Sequence, residues 1–354
     1  MKLPSIVLLA LLAGHCVPSF AAEVASDVKS ATARGLALVT RAASNWQKNR
    51  TCFSCHHQTL PMLAMTEAAR VGFPLDKAWM KSQAETTHAY FEERIEEMDG
   101  GDHVPGGAAT AGYGFWALSL DHRPPDKTTT AIVTYLLQIQ GVQKLKGTKP
   151  SEAGKPRDGR WIASCRRPPL QGSDIGDTVL VLIGLKEYAT AEQQPKVAAA
   201  RASAEKYLAE AKLRNQQDRL WRLWGLDRLG GDADTKEAVR TAIVKAQRAD
   251  GGWSQNDGDA ASDAYSTGQT LFMLCQTGTA PDVPMAQRAR DYLLKTQLPD
   301  GSWLVETRMK FKAQPYFENG DPHGEHQFLS TAAACWATAA LAQLLPPSSA
   351  PAKP

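Results

Sequence analysis

The chain has 354 residues, a formal net charge of +3, 43% hydrophobic and 22% charged residues, with basic and acidic side chains interspersed. That balance offers no basic patch for nucleic acid, and the length suffices for one large domain or two ordinary ones. Six cysteines are too sparse for a disulfide framework. At the N-terminus, Lys2 followed by the apolar run Ile6 to Ala13 and the small residues Ser19 and Ala21 reads as a secretory signal peptide over 1–21, cleaved before Ala22. The apolar run is too short to span a bilayer, and no later segment is long enough, so an exported, periplasmic protein without a membrane span is expected.

Residues 22–76 read as a helical hairpin interrupted by Cys52-Phe53-Ser54-Cys55-His56. Two thiols at this spacing can add to the two vinyl groups of one porphyrin, and the histidine after the second thiol is then held under the iron. C-x-x-C-H is the attachment signature of haem c, so Cys52 and Cys55 are the expected covalent anchors and His56 the proximal ligand. The segment resembles cytochrome c at this motif only. His57 cannot reach the opposite face of an iron held by His56 and is assigned to a propionate or to solvent. Met62 and Met65, on the helix that follows, are candidate sixth ligands, although Leu60 and Leu63 beside them favour core packing.

From residue 77 to 345 the chain repeats itself. Gln247-Arg248-Ala249-Asp250-Gly251-Gly252-Trp253 returns as Gln297-Leu298-Pro299-Asp300-Gly301-Ser302-Trp303, with a weaker copy at Asp158-Gly159-Arg160-Trp161 and a weaker one still at Asp99-Gly100-Gly101. An amphipathic helix precedes each copy and a more uniformly apolar helix follows it. A repeat of roughly 45 to 60 residues, one helix pair each, predicts an all-α ring of about five to six hairpins, an α/α toroid with apolar helices inside. The expected units are 27–71, 77–120, 128–190, 196–230, 235–279 and 284–345. Lys144 to Arg157 reads as a surface loop, and 346–354 as a disordered tail. Trp116, Trp253, Trp303 and Trp336 are assigned to packing between repeats, with a lining of the central cavity as the alternative.

The Gln-x-x-Asp-Gly-x-Trp copies resemble the QW motifs of the squalene–hopene cyclase and prenyltransferase repeat superfamily. The resemblance implies the fold and says much less about activity. Triterpene cyclases of that superfamily protonate their substrate with the central acid of D-x-D-D-T. The best match here is Asp174-Ile175-Gly176-Asp177-Thr178, where Gly176 replaces that acid, so ordinary cyclase activity is not expected and helix capping is the simpler role for Asp174 and Asp177.

If the hairpins align, the starts of the inner helices share one rim. Cys52 to His57 head the first, His103 precedes the second, Asp174 and Asp177 head the third, Asp263 a later one, and His323 and His326 the last. Ring closure would then bring His323 and His326 toward Cys52–His57, as a sixth iron ligand or, in alternation with His56, as the histidine of a zinc site with Cys52 and Cys55. Zinc is the alternative cofactor, by analogy with protein prenyltransferases and lanthionine cyclases, which hold it at a toroid rim. The expected function is electron transfer, or haem-dependent redox chemistry on an apolar small molecule in the central cavity, with a periplasmic redox partner protein. The alternatives are a zinc-dependent transferase or hydrolase, or a non-catalytic ligand-binding or interaction toroid. No catalytic residue is assigned.

Overall fold

A computed structural model describes residues 20–102, 104–142, 158–164, 167–258, 261–308 and 317–348. Most of the expected 1–21 leader, the expected 144–157 loop and residues 349–354 lie outside the described residues. The elements are helical, with isolated bridges and no strand among the described residues.

Six hairpins follow one another. The first pairs α1 (Phe20–Asn49) with α2 (Leu60–Arg70), the second α3 (Lys77–Glu92) with α5 (Gly107–Leu120), separated by the short α4 (Ile95–Asp99). Then come α6 (Lys127–Ile139) with α7 (Asp174–Tyr188), α8 (Gln194–Glu210) with α9 (Gln216–Leu229), α10 (Ala233–Lys245) with α11 (Ala264–Gln276), and α12 (Pro284–Thr296) with α13 (Gln327–Gln343). The second helices form a closed inner ring, α2–α5–α7–α9–α11–α13, in which α13 packs against both α11 and α2. The outer helices carry a narrow apolar stripe: α8 buries Val197, Ala200, Ala204 and Leu208, one face of a 3.6-residue period. The inner helices are buried nearly all round, as α13 is from Leu329 to Ala342. No helix among the described residues is long and apolar enough to cross a membrane.

The repeated motif clamps one hairpin to the next. Its tryptophan donates its indole N–H to the preceding outer helix, Trp161 to the Leu136 carbonyl at 2.8 Å, Trp253 to Ile243 at 2.8 Å and Trp303 to Leu293 at 2.9 Å. Its glutamine reaches the outer helix of the next hairpin: Gln247 Nε2 donates to the Met285 carbonyl and Gln297 Nε2 to the Ala31 carbonyl, both at 2.9 Å. The Gln297 bond therefore closes the ring, last hairpin to first. In the weak copy Gln140 takes this role from across the 143–157 insertion, donating to the Gly159 and Ala200 carbonyls. Gly301 has φ +88° and a Cβ there would lie 2.4 Å from the Arg34 carbonyl oxygen, so the turn requires glycine twice over.

Trp253 and Trp303 bond to the outer helix of their own hairpin, and Trp303 also faces Gly35 of the next one; Trp116 and Trp336 lie elsewhere. With Trp224 and Phe272 they fill the middle of the ring, at centroid distances of 5.5 to 6.2 Å.

Candidate functional site

Each hairpin runs up on the outside and down on the inside, so the N-termini of all six inner helices share one end of the ring. Three of those starts carry a side-chain cap: Ser173 Oγ on Gly176 N at 3.0 Å at α7, Asn215 Oδ1 on Asp218 N at 2.9 Å at α9 and Asp263 on Ser266 N at 2.8 Å at α11. The start of α2 differs from all of these. Cys55–Thr59 forms a single π-helical turn ahead of α2, closed by the Leu60 N–H to the Cys55 carbonyl. Gln58 braces it by accepting from Ser54 N at 2.6 Å, and Thr59 Oγ1 ties it to α5 through the Tyr113 carbonyl at 2.9 Å. One extra residue in a helical turn re-aims the side chains around it, and such turns concentrate at functional sites. Here Cys55 to Thr59 are all buried while Cys52 stays exposed. Neither sulfur is engaged in a disulfide.

His56 is 4% exposed. Its ring lies among Trp46, His57 and Phe328, with Nδ1 at 3.2 Å from Ser54 Oγ and 3.7 Å from Cys55 Sγ. Its Nε2 is buried with no hydrogen-bond partner among the described residues. Burial, and then the neighbouring His57 and Arg167, hold its pKa well below the usual imidazole range. His56 is therefore a neutral imidazole, the form in which histidine ligates a metal. His57 corrects the expectation of a solvent contact: it is wholly buried, stacked on Trp46 at 4.5 Å, with Nε2 2.7 Å from Asp321 Oδ2. Burial lowers its pKa in spite of that carboxylate.

Further polar groups gather around Cys55. Gln171 Nε2 lies 3.8 Å from its sulfur. The Tyr113 phenol is pushed well up by burial, and it feels Tyr265, Cys55 and Asp177, which places all four in one neighbourhood. Asp177 is 4% exposed, and burial followed by the charge of Asp174 raises its carboxyl well above the usual range. Tyr113 Oη, Asp177 Oδ2, Gln171 Oε1 and both polar atoms of the Gln269 amide are buried without partners among the described residues. Buried polar atoms ordinarily find partners, so a cluster of orphans at one end of a ring marks a place for a bound polar group. Beneath it lies the Trp116, Trp224, Trp336 and Phe272 layer.

The other expected site residues scatter. Asp174 is spent on Arg160 at 2.7 Å and on the Ala163 N–H at 2.9 Å. Asp263 caps α11, and burial raises its carboxyl to about 6. Met62 and Met65 are core residues, 0% and 4% exposed. His103 lies outside the described residues. Ring closure does bring the lead-in to α13 onto Cys52–His57, but not through the expected histidines. His323 Nε2 is bonded to Ser302 Oγ at 2.8 Å, and His326 Nδ1 accepts from Thr307 N at 3.2 Å. Asn319, Asp321 and Phe328 make the contact instead. No group of three or more His, Cys, Asp or Glu side chains among the described residues is placed to hold a metal ion, so the expected zinc set of Cys52, Cys55 and a last-hairpin histidine is not assembled. Asp321 carries no sequence signal of its own, standing two residues ahead of a histidine pair whose spacing looks like a ligand set.

No protein-family model matches the chain, and no curated protein sequence matches it. Solved structures do resemble it. A wild-type glycosidase superposes with a TM-score of 0.57 at 13% identity, covering 93% of this chain and 100% of that one. A glycosidase variant in complex with glucose gives 0.56 at 13% identity over the same shares. A variant of the type II terpene cyclase MstE from Scytonema, in complex with geranylgeranyl dihydroxybenzoate, gives 0.53 at 12% identity, covering 91% of this chain and 99% of that one. At such identities the likeness establishes the fold: this is an α/α toroid of the kind that terpene cyclases and glycosidases share.

Proposed function

We propose that this toroid is an exported, periplasmic haem c protein, with Cys52 and Cys55 as the thioether anchors and His56 Nε2 as the iron ligand. One observation carries the reading: a fully buried, neutral imidazole whose Nε2 has no partner stands directly after the second of two cysteines, neither in a disulfide, in C-x-x-C-H order. That donor set, in that order, is what supports the reading. Bound haem would supply one-electron redox chemistry, exchanged with a periplasmic partner protein or with a small molecule. The chain's own part is to keep His56 neutral, to exclude water with Trp46 and Phe328, and to present uncharged polar groups from Tyr113, Gln171 and Asp177. That set suits a neutral ligand whose hydroxyl or carbonyl groups meet it while its apolar part rests on the central aromatic layer.

The test is a reduced pyridine-haemochrome spectrum of the full chain, exported in a host that attaches haem, after acid–acetone extraction. Retained haem that disappears in a Cys52→Ala/Cys55→Ala variant is expected. Protein that keeps no haem overturns the reading, and the same sample then goes to metal analysis for zinc.

A second reading rests on Asp177. A buried carboxyl that holds its proton is a potential acid, and it stands one residue after the Gly176 that replaces the cyclase acid. On that reading the toroid performs acid chemistry on a neutral ligand, and loss of turnover in Asp177→Asn, with haem content unchanged, would favour it.

A further inference from the structure

The fourth hairpin breaks the repeat at its turn. Between α8 and α9, Ala211-Lys212-Leu213-Arg214-Asn215 carries no copy of the Gln-x-x-Asp-Gly-x-Trp motif. In the third, fifth and sixth hairpins the motif tryptophan donates to a carbonyl in the last turn of the outer helix. Here Arg222, from the middle of α9, takes that place, with Nη2 donating to the Ala209 carbonyl at 3.2 Å. An indole has one N–H to spend and a guanidinium has five. Arg222 is 8% exposed, and its Nε and Nη1 are buried without partners among the described residues. A guanidinium keeps its charge at any ordinary pH, so the surplus is a buried, unpaired cation. Such a group is costly unless something meets it.

The space for a partner is beside it. Arg222 lines a cavity of about 390 Å³ between α8, α9 and the start of α10, at the small end of the range for ligand sites. Val179, Leu208, Leu226 and Leu229 give it apolar walls, and Glu205 and Asp232 stand exposed at its edge. The other charges are already engaged. Arg201 Nε holds Glu205 at 2.6 Å and its Nη2 donates to the Leu229 carbonyl at 2.9 Å, while Asp232 caps α10 through Thr235 N at 2.8 Å. Asp232 is still near enough for its charge to act on Arg222.

We propose that this cavity binds a small carboxylate with a short apolar body, the carboxylate on Arg222 and the body against the leucines. Nη2 has a second N–H, so one two-pronged edge of the guanidinium stays open whichever hydrogen Ala209 takes. A planar carboxylate matches such an edge. The two acids at the edge disfavour a doubly charged phosphate more than a single negative charge. The site shares no residue with the cluster around Cys55, so it stands apart from the haem reading.

Calorimetric titration of the full chain with hexanoate tests it, against hexanamide, a neutral counterpart of the same shape, and inorganic phosphate. Saturable one-to-one binding of hexanoate is expected, about tenfold or more tighter than hexanamide, with phosphate weaker than hexanoate. Arg222→Met should lose about tenfold or more in hexanoate affinity. Asp232→Asn keeps the helix cap and removes a like charge, so it should bind hexanoate more tightly. A cooperative unfolding transition identifies the variants that remain folded, and Asp232→Asn decides alone should Arg222→Met not fold. Absence of saturable binding, hexanamide or phosphate bound as well as hexanoate, or one hexanoate affinity common to the parent and every folded variant overturns the site.

Discussion

A carboxylic acid that stays protonated inside a protein makes a measurable demand on pH. The Asp177 pKa is raised by burial and by Asp174, so the folded chain keeps this proton where the unfolded chain, at an ordinary aspartate pKa, releases it. The stabilisation from holding it is complete below the unfolded value and is lost as pH rises through the folded one. Asp177→Asn should therefore be at least as stable as the parent at neutral pH. Its advantage should widen toward alkaline pH, as denaturant midpoints taken across the range will tell; a gap that narrows would contradict the assignment. The neighbouring Gly176 is fixed by packing, for a Cβ there would lie 2.8 Å from Trp221 Cδ1. Gly176→Asp, which rebuilds the cyclase motif, should cost about 1–3 kcal/mol through overpacking alone, and an unchanged midpoint would refute that. The sequence motif revealed the missing acid but not the reason. Contact with Trp221, on a helix from the next hairpin, has no local signature.

At the scale of elements, the hairpins were legible because every residue of the strong motif copies has a separate job. Glutamine reaches the next outer helix, aspartate caps the turn, glycine supplies the positive φ and tryptophan bonds back to the helix before it. The copy at 158–161 read as weak because its glutamine, Gln140, had been separated from it by an insertion. Two glycines divide conformation from packing. Gly230 ends α9 in the left-handed region with nothing within 4 Å of where an alanine methyl would stand, whereas Gly301 has both a positive φ and the Arg34 carbonyl in the way. Gly230→Ala should cost about 1–2 kcal/mol, from backbone strain. Gly301→Ala should cost about 1–3 kcal/mol more, from the clash. Equal losses in thermal or chemical unfolding would mean that the last turn is not pressed against the first hairpin.

The whole molecule is a closed ring, and closure makes the site. His57 and Asp321 meet across 264 positions of sequence. The sequence indicated that the last hairpin would come to the C-x-x-C-H segment, yet it pointed to His323 and His326, whose spacing looks like a ligand pair. They are held by Ser302 and Thr307, and the side chains that arrive are an amide, a carboxylate and a phenyl ring. Nothing in Asn319-Gly320-Asp321-Pro322 resembles a motif, because the partner of Asp321 is set by ring geometry rather than by spacing. The same holds for Tyr113 and Gln171, ordinary in sequence and gathered around Cys55 only by the convergence of inner-helix starts. The central claim is that this convergence was built around a thioether-bound haem. Its most direct test is mass spectrometry of the proteolytic peptide spanning Cys52 to His57, cut from the full chain exported with haem-attachment machinery and treated with a thiol-alkylating reagent. The account predicts one peptide carrying one porphyrin through both sulfurs, with neither cysteine alkylated. A haem-free peptide with Cys52 and Cys55 both alkylated would contradict it.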